Sequence, residues 1–194
     1  MASFKGKTIL KLGSIGLAAL ALLVAGWALE LRLTGNIHAV DEPHIFRSAQ
    51  LTPEQLTGFV KEKGIKSIIN LRGAHPEERW YRGELEVSEK LGLTHEDIAL
   101  SATQEPDDAT LKQLINMMQS AQQPLLIHCQ AGADRSGLAS ALYRLVIKGD
   151  DPKKAAEQLS IRYGHFPWAW SRTGAMDKAF WRVVAAPETF SLRN

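Results

Sequence analysis

The 194-residue chain has a single cysteine, Cys129. This excludes an internal disulfide and any metal cluster built on cysteine. In an oxidising compartment the thiol would also have no intramolecular partner to trap it. Excess charge is scarce too: 23 Lys and Arg against 21 Asp and Glu leave a net charge of +2. That is too little to argue for nucleic acid as a partner. Internal repeats and low-complexity tracts are absent. With hydrophobic residues at 45% and charged residues at 23%, the composition is ordinary for a globular chain, and one domain of catalytic size fits once the N-terminus is set aside.

Charge disappears altogether in one place. Residues 12–29, "LGSIGLAALALLVAGWAL", carry none until Glu30. The run is at the short end for a membrane span of about 20 residues. Lys5, Lys7 and Lys11 precede it and only Arg32 follows before His38, an asymmetry that favours a cytoplasmic N-terminus. A cleaved signal peptide is the alternative, since Gly26-Trp27-Ala28 offers small residues at spacing two. The run exceeds a signal core of roughly 7–15 residues, which favours an uncleaved anchor. The expected layout is a cytoplasmic segment 1–11, an anchor or signal peptide 12–29, a linker 30–43 and a globular domain 44–194. The chain is then expected to be a single-pass protein of the inner (cytoplasmic) membrane, with its domain on the periplasmic or equivalent side.

Beyond that point strands and helices alternate. "HIFRSAQ" reads as a first strand. Thr52-Pro53-Glu54-Gln55 combines a cap, Pro at the first helical position and Gln at N3, starting a helix stopped by Gly64. "IKSIINL" reads as a buried strand ending near Arg72, "HPEERWYRGELEVSEKLG" as a polar helix and "LTHEDIAL" as a third strand. A loop, "SATQEPDD", precedes another helix. Two more helices close the chain, starting at Asp151-Pro152 and near Thr173. The pattern predicts an α/β fold: a central, mostly parallel sheet flanked by helices, with sites at the C-terminal ends of the strands.

The cysteine lies in "HCQAGADRSG". An apolar strand, "PLLI", precedes it, and Leu138, Leu142, Leu145 and Val146 recur after it at helical spacing. A short loop of small residues before a helix N-terminus can aim several backbone N–H groups at one anion. Arg135 adds a planar fork for two phosphate oxygens. A thiol in that field is favoured as thiolate, the better nucleophile. Cysteine, five residues, arginine and serine therefore suit attack on a phosphate monoester. A lone cysteine after an apolar strand is otherwise a small buried hydrophobe. His128 either orients the loop or takes part in proton transfer.

This stretch resembles the phosphate-binding loop of the cysteine-dependent phosphatases, which include the protein-tyrosine and dual-specificity enzymes. "FRSAQLTPEQL" and "GIKSIINLRG" are similar to the opening of compact bacterial members. The resemblance spans 45–147, with weaker support beyond. It implies a dual-specificity-phosphatase-like fold with no cofactor and no metal. Cys129 is then the nucleophile, Arg135 the phosphate clamp and Ser136 the partner of the departing thiolate. The cradle is the backbone of Gln130, Ala131, Gly132, Ala133 and Asp134. Apart from the resemblance, Arg72 at its strand end is a candidate contact for a multiply phosphorylated substrate, the other reading being a helix coat.

Such an enzyme also needs a general acid for the leaving oxygen. Aligned on the loop pattern of dual-specificity enzymes, the usual Asp position carries Ala102. Asp108 is the preferred candidate, with Asp107, Glu105 and Asp134 as alternatives; an Asp at a helix start is equally a cap. Asp134 also sets a negative charge beside the phosphate site, a cost unless it pairs with Arg135 or another base. In "RYGHFPWAWSRTG", Phe166, Trp168 and Trp170 either line a pocket or membrane face or pack beneath the last helix. The substrate is expected to be a phosphorylated protein, lipid or inositol phosphate. The rivals are a rhodanese-like sulfurtransferase and a non-catalytic phosphate-binding module.

Overall fold

The computed structural model describes residues 2–166 and 171–190. The chain divides into two units, residues 1–34 and 35–194. The first is a single helix, α1 (Ala2–Leu33). Its stretch Gly16–Leu33 has a mean hydropathy of 1.7 and is long and apolar enough to cross a membrane, by length and composition alone. Leu17, Leu22 and Leu23 are exposed on it.

The second unit holds β1 (His38–Asp41), β2 (Ile45–Ser48), α2 (Pro53–Lys63), β3 (Ser67–Asn70), α3 (Arg79–Leu91), β4 (Thr94–Asp97), α4 (Asp108–Ser120), β5 (Leu125–His128), α5 (Asp134–Leu142), α6 (Pro152–Ala156), α7 (Ala175–Ala185) and α8 (Pro187–Phe190). The sheet order is β1-β2-β5-β3-β4. β1 runs antiparallel to β2 and the other pairings are parallel.

The linker expected over 30–43 is corrected here. α1 continues to Leu33, and Thr34 bonds back to the Glu30 carbonyl. After Gly35 and Asn36, both at positive φ, residues 38–41 form an edge strand on Arg47 and its neighbours. "HAVD" buries only Val40, too weak an alternation to stand out from a connector. The strand expected first in "HIFRSAQ" is thus the second. The polar helix expected from His75 begins at Arg79: residues 75–78 form a turn in which Glu78 N donates to His75 O at 2.9 Å, and Glu78 itself is extended, with φ −87° and ψ 135°.

The period of two along the strands sorts the core. Phe46, Ile68 and Leu126 point to one face, where Leu56, Phe59 and Val60 of α2 and Val87 of α3 cover them. Ile45, Ile69, Leu125 and Ile127 point to the other, against Leu111, Leu114, Leu138, Leu142 and Phe180 of α4, α5 and α7. Strands buried on both faces read as continuous apolar runs, as these do. Helix α2 starts as expected: Thr52 Oγ1 accepts from Gln55 N at 3.2 Å, and Gln55 Oε1 accepts from Thr52 N at 3.0 Å.

Register then positions the site. Ser48, Asn70 and His128 lie side by side at the ends of three parallel strands. The residues that follow, Gln50, Arg72 and Cys129, therefore leave the sheet at the same edge, where sites of open α/β sheets collect.

Candidate active site

Cys129 is buried at the end of β5, with Sγ 3.5 Å from Ser136 Oγ in the first turn of α5. Between them the loop turns its carbonyls outward. Gln50 N donates to Gln130 O at 3.3 Å, and Asn36 Nδ2 to Ala131 O at 2.9 Å. Arg47 Nη2 donates to both Gly132 O and Ala133 O at 2.9 Å. In planar trans peptides an outward carbonyl turns the next N–H the other way. Ala131, Gly132, Ala133 and Asp134 therefore present their N–H groups to the inner face of the loop. Gly132 makes this possible: its φ is +70°, and a Cβ there would stand 2.6 Å from Ala49 N and 2.8 Å from the Ser48 carbonyl carbon.

Arg47 is fully buried and is the outer brace of the loop. Nη1 donates to the Gln158 carbonyl at 2.7 Å, and the guanidinium lies 4.3 Å over the Tyr163 ring. Burial pushes its pKa down to about 10, against the opposing charge of Cys129, Tyr163 and Asp134, so it remains a cation at neutral pH. Arg135 donates from Nη1 to Leu100 O at 3.2 Å, and its buried Nε has no hydrogen-bond partner among the described residues.

A second network lies behind the thiol. Glu84 of α3 is buried, with Oε1 2.7 Å from His95 Nε2 and 3.0 Å from His128 Nε2. Gln50 Nε2 donates to Oε2 at 2.5 Å. Burial would raise the Glu84 pKa, but the two histidines and Gln50 hold the carboxyl well below the usual range. Gln50 in turn accepts from Arg72 Nη1 at 3.1 Å, and the Arg72 guanidinium stacks 3.5 Å over Trp80. Burial and then the like charge of Arg135 push the Arg72 pKa down, while Cys129 and Glu84 oppose. Arg72 is thus held at the mouth of the loop.

The carboxylates weighed as proton donors are distributed differently. Asp107 is the cap of α4, accepting from Thr110 N at 2.8 Å. Arg182 of α7 pairs with Glu105 at 2.8 Å and lies 3.2 Å from Asp108 Oδ1, and it also donates to the Pro106 carbonyl. Asp134 faces inward to His165, with Oδ1 2.8 Å from Nδ1. Among the described residues no group of three or more His, Cys, Asp or Glu side chains could hold a metal ion. Phe166 is partly exposed; Trp168 and Trp170 lie outside the described residues.

A family model described as a DSP-PTPase phosphatase fused to NAD+ kinase matches residues 28–171, well over half of the chain. The chain belongs to this family of cysteine-dependent phosphatases. It is 27% identical over 135 residues to the dual specificity protein phosphatase TpbA of Pseudomonas aeruginosa (strain UCBPP-PA14). The match covers 69% of the chain and 57% of that protein, so the chain spans little more than half the length of the curated relative. The crystal structure of P. aeruginosa TpbA has the same fold, with a TM-score of 0.63 at 20% identity, covering 80% of this chain and 88% of that one. The core catalytic domain of the PP-IP phosphatase SIW14 from S. cerevisiae superposes with a TM-score of 0.58 at 20% identity, over 82% and 96% of the two chains. PTPMT1 in complex with PI(5)P does so at 0.59 and 18%, over 78% and 98%.

In this chain the structure brings together Cys129, the loop 130–134, Arg135 and Ser136, with Arg72 adjacent. Sequence reasoning assigned no role to Arg47, Glu84 or Asn36, and weighed His165 only as part of an aromatic segment. One signal was available: Arg47 is a lone basic residue inside an otherwise buried strand, and a buried charge needs fixed partners.

Proposed function

We propose that the chain is a phosphomonoester hydrolase working through a cysteinyl-phosphate. The observation that supports this most directly is the loop around Cys129, whose carbonyls are pinned outward by Gln50, Asn36 and Arg47. In the first step the Cys129 thiolate attacks phosphorus, an S–P bond forms, and the P–O bond to the leaving group breaks. The loop N–H groups and Arg135 hold the three non-bridging oxygens. In the second step water attacks phosphorus, the S–P bond breaks, and Ser136 donates a hydrogen bond to the departing thiolate. For the leaving oxygen we assign the proton to Asp108. Asp107 is committed as a cap; Arg182 contacts both Glu105 and Asp108, but more closely Glu105, at 2.8 Å against 3.2 Å, and the Asp108 side chain is the more exposed, 52% against 34%.

The proposed substrates are phosphorylated proteins, lipids or inositol phosphates. The Arg72–Trp80 stack suits a second anionic or planar group beside the hydrolysed phosphate. The test is phosphate release by the purified chain from p-nitrophenyl phosphate, phosphopeptides, inositol phosphates and phosphoinositide vesicles. Release inhibited by vanadate is expected. Asp108→Asn should slow alkyl phosphates far more than p-nitrophenyl phosphate, whose leaving group needs no proton. Persulfide formation from thiosulfate without phosphate release would favour a sulfurtransferase, and vanadate binding without any turnover a binding module.

We also propose that α1 anchors the enzyme in the cytoplasmic membrane with the domain outside, on the strength of its apolar stretch and the lysines ahead of it. Alkaline phosphatase fused after Asn194 should then be active. A reporter that fluoresces only in the cytoplasm should be dark at the same point, and the opposite pair of results would overturn the orientation.

A further inference from the structure

Asp134 poses an electrostatic problem. It is the last residue before Arg135 and sits inside a loop read as a dianion site, where an unbalanced carboxylate repels the ligand. We propose that His165 is a positioning residue of this loop, which neutralises Asp134 and ties it to α7, and thereby sets affinity for the phosphate group. This rests on the phosphate reading of the loop.

The geometry is specific. His165 is fully buried, with Nδ1 2.8 Å from Asp134 Oδ1 and Nε2 2.9 Å from Asp177 Oδ2. A neutral imidazole has one N–H and can satisfy one carboxylate; only the imidazolium donates to both. The two carboxylates come from different elements, the start of α5 and the first turn of α7, so the cation bridges the loop to the C-terminal helix. Burial would lower the His165 pKa, but Asp134 and Asp177 raise it to about 9. The cation is therefore present throughout the neutral range.

The surrounding segment is built for the same purpose. His165 N donates to Ser160 O at 3.2 Å, and Gly164 turns the chain at a φ of +84°. Two residues earlier, the Tyr163 ring lies under Arg47, and its carbonyl accepts from Asn36 Nδ2 at 2.9 Å. Gln158, at the head of the segment, holds Arg47. Among the described residues, Arg47 from β2 and His165 face Asp134 as cations, and Asp177 is the second anion on His165. Arg47 is already spent on the loop carbonyls, which leaves His165 as the direct partner of the carboxylate.

The test is calorimetric binding of inorganic phosphate to the full chain as four proteins: the parent, His165→Asn, Asp134→Asn and the double variant. His165→Asn should weaken phosphate binding roughly 5- to 50-fold, the range of coupling carried by one direct contact. In the Asp134→Asn background the same change should cost less than about twofold, because no loop charge remains to be offset. An equal loss in both backgrounds, or no loss in either, would overturn the proposal. A measurement on folded parent protein guards against instability of the variants. Phosphate affinity of the parent should fall as pH rises through about 9, where His165 loses its proton, and Asp134→Asn should lack that fall. A parent whose affinity is flat across that range would also overturn it. A parent that binds no phosphate at any pH would instead defeat the phosphate reading of the loop itself.

Discussion

Replacing Cys129 with serine is expected to abolish turnover, by a factor on the order of 10^4 to 10^6, the scale seen when a covalent nucleophile is removed. Phosphate should still bind. A serine hydroxyl is of similar size and leaves the loop intact, because the cradle is backbone held from outside by Asn36, Gln50 and Arg47. What is lost is the thiolate, and with it the S–P bond and the intermediate that splits the displacement into two steps. Initial rates on p-nitrophenyl phosphate and calorimetric titration with phosphate separate the two quantities. A serine variant turning over at close to the parent rate would eliminate the cysteinyl-phosphate mechanism.

The second large effect is expected at Arg47, which is fully buried on the outer side of the loop. Arg47→Ala should cost about 3–5 kcal/mol, the scale of breaking a buried charged interaction. For a domain of this size that lowers the unfolding midpoint on the order of 10 °C. The cause is what remains behind. The carbonyls of Gly132, Ala133 and Gln158 each lose a buried donor, and the Tyr163 ring loses its cation. Arg47→Met separates packing from polarity: it fills much of the volume but bonds no carbonyl. It should recover part of the midpoint and little of the activity, since a freed carbonyl can swing inward where an N–H is needed. Thermal unfolding and initial rates on the same samples test this. Unchanged values for both variants would show that the loop holds its shape without the brace.

The strand, loop and helix around Cys129 were legible in the chain because the signals that mark them are local, even though the bonds that pin the loop are not. The apolar run of β5, the small residues of the loop and the helical spacing from Leu138 lie within a few turns of one another. The Thr52–Gln55 capping box and the Asp151-Pro152 start were legible for the same reason, and so was the mostly parallel sheet, which follows from alternating periods of two and 3.6. Edge strand β1 was not, since its four residues gain their structure from pairing with β2 rather than from their own pattern. Nor could the sequence distinguish Asp107 from its neighbour: both suit a helix start, and only the folded backbone shows that Asp107 bonds Thr110 while Asp108 meets Arg182. The supports of the loop come from β2, α3 and the segment before α7, brought together by strand order and register. Arg47, Glu84 and His165 carry no local signature of the partners they will meet. The sequence by itself marked out Cys129, Arg135 and the loop between them as the candidate site; tertiary structure alone decided what holds them, because a buried charge takes its meaning from the groups that long-range packing places around it.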